Sequence, residues 1–198
     1  MQKLLIASLN KGKTKEIIAV LKDIPFQILS LNDFPAHNPV EETGESFMDN
    51  AILKAKCYAE EHNLLTLAED SGLEVDALDG RPGIKSARYA EGEDTDRVKK
   101  LLEEMRGVIW DKRTAQLVAV AVIYHPHNGL LFSATGICKG FINTIPRGNN
   151  GFGYDPVFYL PEFKKTSAQL TLSEKNKISH RAKALFKCRD FLMNYSSL

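Results

Sequence analysis

The sequence has only three cysteines among 198 residues, no C-x-x-C pair and no apolar run long enough to cross a membrane. Cys57, Cys138 and Cys188 are far apart and odd in number, which predicts buried thiols in a reducing compartment rather than disulfides or a zinc site. A membrane helix needs about 20 apolar residues, and the amino-terminal segment lacks a signal-peptide pattern. We therefore expect a cytoplasmic protein without a membrane partner.

The sequence also lacks an excess of either positive or negative side chains. The sequence has 26 Lys and Arg against 25 Asp and Glu, a formal net charge of +1, which gives no support to broad nucleic-acid binding. With 43% hydrophobic and 26% charged residues, the composition excludes disordered, collagen-like and coiled-coil classes. The length predicts a single domain over residues 1–198.

The hydrophobic pattern predicts an α/β protein. An apolar segment over 3–9, an amphipathic one over 13–22 and a second apolar one over 26–31 indicate a β-α-β unit with parallel strands. We expect the strand over 64–68 to stop at Glu69. The remaining pattern predicts strands over 115–124, 130–137 and 157–159, and helices that end near 62, 105 and 194.

Two polar segments follow predicted strands, where open α/β sheets bind ligands. Residues 8–13 precede a helix whose amino terminus suits phosphate, although an ordinary capped helix is the plain alternative. Glu69 and Asp70 are adjacent acids, and Glu41 and Glu42 form a second pair. Together they predict a Mg²⁺ site, against the alternative of two solvated acidic turns. The residues do not decide whether Glu41 or Glu42 is the ligand.

Two further segments have the composition of a base-binding site. Residues 151–156 place two aromatic side chains among glycines, an arrangement that permits stacking on a flat base or a core-filling turn. His180 and Arg181, with Lys175 nearby, offer the donors that a 6-oxo purine needs, or form a solvated helix face.

The same residues are compatible with two other functions. Residues 12–14, Gly-Lys-Thr, resemble the end of a P-loop, which would indicate an NTPase that releases orthophosphate. A P-loop requires glycine where Ala7 stands, which argues against it. A non-catalytic nucleotide- or RNA-binding module would use Phe152 and Tyr154, but the acidic pairs would repel a nucleic-acid backbone.

Several segments taken together resemble the inosine triphosphate pyrophosphatase family along nearly the whole chain. The matching segments are Ser8-x-Asn10-x-x-Lys13-x-x-Glu16, Glu41-Glu42-Thr43-Gly44-x-Ser46-Phe47-x-x-Asn50-Ala51, Glu69-Asp70-Ser71-Gly72-Leu73-x-Val75-x-Ala77-Leu78, Pro82-Gly83-Ile84-x-Ser86-Ala87-Arg88-Tyr89, Gly151-Phe152-Gly153-Tyr154-Asp155-Pro156 and Ser179-His180-Arg181. Leu9 and Glu69 depart from the residues commonly found in the family.

The resemblance implies an α/β fold, an elongated two-lobed domain with a central mixed β-sheet flanked by helices and an active-site cleft between the lobes. It implies Mg²⁺-dependent hydrolysis of ITP, dITP and XTP to monophosphate and pyrophosphate by a homodimer. Asp70 would accept a proton and, with Glu41, bind the metal. The implied substrate-binding residues are Ser8, Leu9, Asn10, Lys11, Gly12, Lys13, Ser71, Phe152, Gly153, Tyr154, Asp155, Lys175, His180 and Arg181.

Overall fold

A computed structural model of the protein describes residues 1–34 and 39–195. Within these ranges the chain forms seven strands and five α-helices. Their order is β1 (Gln2–Ala7), α1 (Lys11–Leu21), β2 (Phe26–Ser30), α2 (Phe47–His62), β3 (Leu65–Val75), α3 (Asp94–Glu104), β4 (Thr114–His125), β5 (Gly129–Ile142), β6 (Phe158–Leu160), β7 (Lys165–Thr166), α4 (Leu172–Ile178) and α5 (His180–Tyr195).

The strands that the structure describes form one mixed sheet in the order β2-β1-β3-β4-β5-β6-β7. β1 pairs with β2 and β3 in parallel, which confirms the predicted β-α-β opening. β4 and β5 are neighbours joined by residues 126–128, a link that is short enough only for antiparallel strands. β6 pairs antiparallel with both β5 and β7. The predicted α/β class with a mixed sheet is confirmed.

The chain folds into two compact units. Unit 1 comprises Met1–Asp70, Ala119–Gly136 and the chain from His180 onward, and unit 2 comprises Ser71–Val118 and Ile137–Ser179. The single domain expected over 1–198 stays a prediction. In the described part of the chain, no helix has the length and apolar character needed to cross a membrane.

The core of unit 1 lies around β1. Leu4, Leu5 and Ile6 are fully buried, as expected of a parallel strand covered on both faces. α1 packs against α5, whose buried Leu185 and Leu192 lie two turns apart on one face of the helix.

The core of unit 2 forms around the second half of β3. Leu73 and Val75 alternate with the half-buried Glu74, so they contribute to the core with the period of a strand. Leu101 of α3 and Phe158 of β6 belong to the same buried cluster. The core therefore joins a helix to the sheet.

Two predicted boundaries are wrong. The strand expected to stop at Glu69 continues to Val75, because the polar residues in its middle are buried beside cationic side chains rather than turned into solvent. The last helix, expected to end near 194, is broken at Ser179, which has extended backbone angles between α4 and α5. Serine favours this conformation at a helix start. The break makes His180 the first residue of α5.

Arg113 is buried in unit 2, and no carboxylate of the described residues pairs with it. Its guanidinium donates hydrogen bonds to the carbonyl oxygens of Met105, Val108, Ile142 and Asn143. Arg113→Met is expected to lower the free energy of unfolding by about 3 kcal/mol, because buried acceptors lose their donor. Urea unfolding would measure the loss. Lys112→Met, at an exposed neighbour, should change little, and equal midpoints for the two variants would contradict this role.

Candidate active site

The turn between β1 and α1 contains the predicted phosphate-binding residues. Asn10 caps α1, and its side chain accepts a hydrogen bond from the backbone N–H of Lys13 at 3.0 Å. The hydroxyl of Thr14 donates to the carbonyl oxygens of Ser8 and Asn10 at 3.3 and 3.1 Å, which closes the turn. The first N–H groups of a helix have no intrahelical partner, and the cap satisfies one of them. The amino terminus of α1 therefore suits an anion.

Glu69 and Asp70 lie on β3 just beyond the end of β1. The parallel register pairs Ala7 with Ala68, so both acids are level with the turn that follows β1. Successive side chains of a strand point to opposite faces. Accordingly, Glu69 pairs with side chains of α1 and α5, and Asp70 pairs with a side chain of α2. The two adjacent carboxylates therefore lie in different environments.

Glu69 lies in a buried ion-pair network. Its carboxylate is 2.9 Å from Lys13 Nζ and 3.2 Å from Arg181 Nη2. Arg181 also pairs with the carboxylate of Glu16. Burial alone would raise the pKa of Glu69, but the charges of Arg181 and Lys13 outweigh burial and hold this pKa far below its usual range. Glu69 stays ionised at neutral pH and holds Lys13 beside the turn between β1 and α1.

Asp70 shares a lysine with Glu42. Lys54 Nζ is 2.7 Å from Asp70 Oδ1 and 2.7 Å from Glu42 Oε1. Asn50, one turn earlier on α2, has its Nδ2 3.5 Å from Asp70 Oδ2. Burial raises the pKa of Asp70 above its ordinary value, because the ammonium groups of Lys54 and Lys13 offset only part of the cost. A buried carboxylate with a raised pKa, next to a helix amino terminus that suits an anion, is a candidate general base.

The segment before α2 brings Glu42 to this lysine, whereas Glu41 is exposed. The backbone N–H of Gly44 donates to Asn50 Oδ1 at 2.8 Å. A Cβ at Gly44 would collide with Asp49 and with the backbone of Asn50, so glycine allows the segment to lie against α2. Glu41 as the metal ligand stays a prediction, and the geometry favours its neighbour.

Phe152 and Lys175 form a second group of predicted site residues, within unit 2. Lys175 is 5% exposed, its ammonium pairs with the carboxylate of Asp155, and it lies 5.2 Å from the centroid of the Phe152 ring. The Phe152 N–H donates to Asp155 Oδ2 at 2.9 Å. Gly151 has a φ of 77°, and a Cβ there would meet the Asp155 carboxylate. The loop over residues 151–156 thus holds the Phe152 ring close to the Lys175 ammonium of α4.

The rest of this loop is anchored inside unit 2. The N–H of Gly153 donates to Asp94 Oδ2 at 2.6 Å. Tyr154 is buried, and its hydroxyl donates to the carbonyl oxygen of Ser86 at 2.9 Å. The Tyr154 side chain thus supports the loop from the core. Substrate binding by Gly153 and Tyr154 stays a prediction.

The remaining predicted substrate residues have varied surroundings. His180 and Arg181 are buried at the start of α5, in unit 1, and Arg181 pairs with two carboxylates. Ser71 is half-buried on β3 and belongs to unit 2, whereas Leu9 is 47% exposed. Lys11 and Gly12 lie in the first turn of α1. Their roles in substrate binding stay predictions.

Lys54 is not among the site residues predicted from the sequence, and no role is predicted for Asn50 or Glu16. Asn50 and Lys54 are four residues apart, so they share one face of α2. Ala51 and Ala55 are buried beside them. Polar side chains at helical spacing among small buried residues are a signal that could have identified this pair.

The carboxylates of unit 1 also bear on the predicted metal site. Across residues 1–34 and 39–195, no three His, Cys, Asp or Glu side chains are grouped for a metal ion. Magnesium is commonly held by one or two carboxylates together with substrate phosphates. Glu42 and Asp70 are such a pair, and the Lys54 ammonium between them is a cation in contact with both. These residues fit a divalent cation.

Comparisons with known proteins identify the family of this chain and proteins similar to it. A model of the Ham1 family matches residues 4–191. A dITP/XTP pyrophosphatase of Desulforamulus reducens is 50% identical over 193 residues, 96% of this chain and 95% of the relative. Another of the same name, from Halalkalibacterium halodurans, is 46% identical over 188 residues, 93% of this chain and 96% of the relative.

Solved structures show the same similarity in three dimensions. A HAM1 protein from Coxiella burnetii has a TM-score of 0.87 at 37% identity and covers 98% of this chain and 100% of its own. The Ham1 protein of Staphylococcus aureus has a TM-score of 0.86 at 38% identity with the same coverage. The chain therefore belongs to the Ham1 family.

Proposed function

We propose that this protein hydrolyses the non-standard purine nucleoside triphosphates ITP, dITP and XTP to the monophosphate and pyrophosphate. Relatives named dITP/XTP pyrophosphatase match nearly the whole chain at 46% and 50% identity, which confirms the predicted enzyme class. The structural observation that carries the proposal is the buried Asp70 carboxylate, with its raised pKa, level with the phosphate-binding turn.

Asp70 acts as the proton acceptor in the proposed reaction. Water adds to the α-phosphorus, the bond from that phosphorus to the bridging oxygen breaks, and pyrophosphate leaves. The proton of the attacking water passes to the Asp70 carboxylate, whose raised pKa improves it as a base at neutral pH. Asn50 contacts one oxygen of this carboxylate and helps to orient it, and before metal and nucleotide bind the Lys54 ammonium contacts the other.

The positive charge around the turn binds the phosphates. The N–H groups at the start of α1 are fixed donors, and Lys13 adds an ammonium held by Glu69 at 2.9 Å. Such positioned charges stabilise the negative charge that develops during phosphoryl transfer. In this proposal Ser8, Asn10, Lys11 and Gly12 shape the turn rather than react.

We propose Mg²⁺ as the cofactor, held by Asp70 and Glu42 with Glu41 as the alternative ligand. The two carboxylates on one ammonium support this assignment. When bound, Mg²⁺ would neutralise the negative charge of the phosphates and help to orient the substrate.

Phe152 and Lys175 are proposed to bind the purine base. The Phe152 ring offers a stacking face, and the Lys175 ammonium offers donors to the 6-keto oxygen of hypoxanthine or xanthine. The 6-amine of adenine is itself a donor, so it cannot accept a hydrogen bond from the Lys175 ammonium. Asp155 holds the ammonium in place. Discrimination therefore depends on hydrogen bonding at the purine 6-position.

Further properties complete the proposal. The family resemblance supports a homodimer, and the three scattered cysteines support a cytoplasmic location. The balanced charge supports an enzyme that does not bind nucleic acid. Light scattering of the purified protein would test the dimer, which a monomer at micromolar concentration would overturn.

A nucleotide panel tests the proposed activity. ITP, dITP, XTP, GTP and ATP are incubated with and without Mg²⁺, and pyrophosphate and orthophosphate are measured separately. Metal-dependent pyrophosphate release from ITP, dITP and XTP supports the proposal. Orthophosphate would indicate cleavage at the γ-phosphate, and binding without turnover would indicate a non-catalytic module.

Lys175→Met is expected to reduce the ITP-to-ATP ratio of kcat/KM by about 10²-fold, because a site built on hydrogen bonds rejects the wrong analogue strongly. Lys177→Met, at an exposed position two residues away, is the matched control and should keep the ratio. Using a ratio cancels any general loss of activity that follows from removing the ammonium beside Asp155. An unchanged ratio in Lys175→Met would remove this lysine from base recognition.

A further inference from the structure

The Lys54 ammonium contacts two carboxylates at equal distance. Its ammonium is 2.7 Å from oxygens of both Glu42 and Asp70. The side chains are 13%, 23% and 6% exposed for Lys54, Glu42 and Asp70, so solvent screens these contacts weakly. Burial alone would lower the pKa of Lys54, but the two carboxylates raise it above its usual value, so the lysine remains charged.

The same carboxylate oxygens are the proposed ligands of the divalent cation. Two carboxylates close together repel each other unless a cation is present, and Lys54 supplies that cation from within the chain. A metal ion that binds Glu42 and Asp70 must therefore displace or share contacts already made by the ammonium. A nucleoside triphosphate changes this competition, because its phosphate oxygens are new anionic partners for Lys54.

We propose that Lys54 is a built-in competitor of the divalent cation, which keeps the metal weakly bound until a nucleoside triphosphate binds with it. The inference rests on the proposed function, since it takes Asp70 and Glu42 as metal ligands. Lys54 belongs to the helix α2, and Asn50 on the same helix is within 3.5 Å of Asp70, so the ammonium is held near the carboxylates rather than reaching them by chance.

This arrangement couples the metal to the nucleotide. Coupling between two ligands is reciprocal, so the factor by which triphosphate tightens metal binding is also the factor by which the metal tightens triphosphate binding. Removing the ammonium frees both carboxylates for the metal without nucleotide. Lys54→Met should therefore bind Mg²⁺ at least about tenfold more tightly than the unaltered protein and show a smaller coupling factor.

The experiment measures metal binding without turnover. Isothermal titration with Mg²⁺ alone, and electron paramagnetic resonance with Mn²⁺ alone, are run on the full chain and on Lys54→Met. Both titrations are repeated with a non-hydrolysable α,β-methylene ITP analogue. Lys56→Met, on the same helix and exposed, is the control that removes an equal charge elsewhere, and it should leave the metal affinity unchanged.

Stability provides a second measurement. Without metal, Lys54→Met leaves Glu42 and Asp70 without their shared ammonium, so its melting temperature should fall and then recover on addition of MgCl₂ by more than that of the unaltered protein. If Lys54→Met does not fold without metal, Lys54→Gln is used in its place. Lys54→Arg keeps the positive charge and should keep metal binding weak.

The outcomes separate this inference from the proposed function. Equal or weaker Mg²⁺ and Mn²⁺ binding by both Lys54→Met and Lys54→Gln would overturn the competitor role, even if the nucleotide panel yields pyrophosphate. Tighter metal binding together with no pyrophosphate release from any nucleotide would leave the competition intact and overturn the proposed activity.

Discussion

Replacement of Asp70 by asparagine is expected to lower kcat for ITP hydrolysis by about 10²–10⁴-fold. Asparagine has nearly the same shape, but it cannot take the proton of the attacking water and it removes one charge from the metal site. The fold should persist, because Lys54 keeps its ion pair with Glu42 at 2.7 Å. Steady-state kinetics with saturating Mg²⁺ and ITP would measure the loss.

A pH profile distinguishes a base from a merely structural carboxylate. Because burial raises the pKa of Asp70, kcat/KM of the unaltered protein should decline on the acid side at a higher pH than an ordinary aspartate would give. Asp70→Asn should abolish that limb of the profile. Asp23→Asn, at an exposed aspartate of unit 1, should keep both rate and profile. Near-normal turnover of Asp70→Asn would exclude Asp70 as the proton acceptor.

Much of this site was predictable because its residues follow strands. The apolar strand β1, the capped helix α1 and the acids after residue 68 are local patterns, and each predicts where an anion or a cation would bind. The sequence predicted that Glu69 would end its strand, which is wrong. Instead, β1 ends at Ala7, opposite Ala68, and β3 continues past that point to Val75.

The pairing of charges was not predictable from the sequence. Arg181 is 165 residues from Glu16, and nothing local indicates that they form an ion pair. Likewise, most of the 26 lysines and arginines are exposed, and in the sequence Lys54 is distinguished only by its spacing of four residues from Asn50. Helical spacing could place it beside Asn50, but only the assembled sheet places both against Asp70.

Replacement of Glu69 by glutamine is expected to lower the free energy of unfolding by about 3 kcal/mol at neutral pH, because removal of one partner leaves buried cations without their counter-charge. Arg181 retains Glu16, and Lys13 is 18% exposed, so the loss should fall at the low end of the range for buried ion pairs. Urea unfolding of both proteins would measure it. Glu60→Gln, an exposed position on α2, is the matched control.

The same variant should change how stability depends on pH. The pKa of Glu69 is depressed in the folded protein, so its contribution is fully present above the ordinary carboxyl value of 4.5 and is lost progressively as the pH falls below that value. The difference in unfolding free energy between the unaltered protein and Glu69→Gln should therefore be largest near neutral pH and shrink in acid. A difference that stays constant from neutral pH into acid would show that the lost stability comes from packing rather than from the ionised carboxylate.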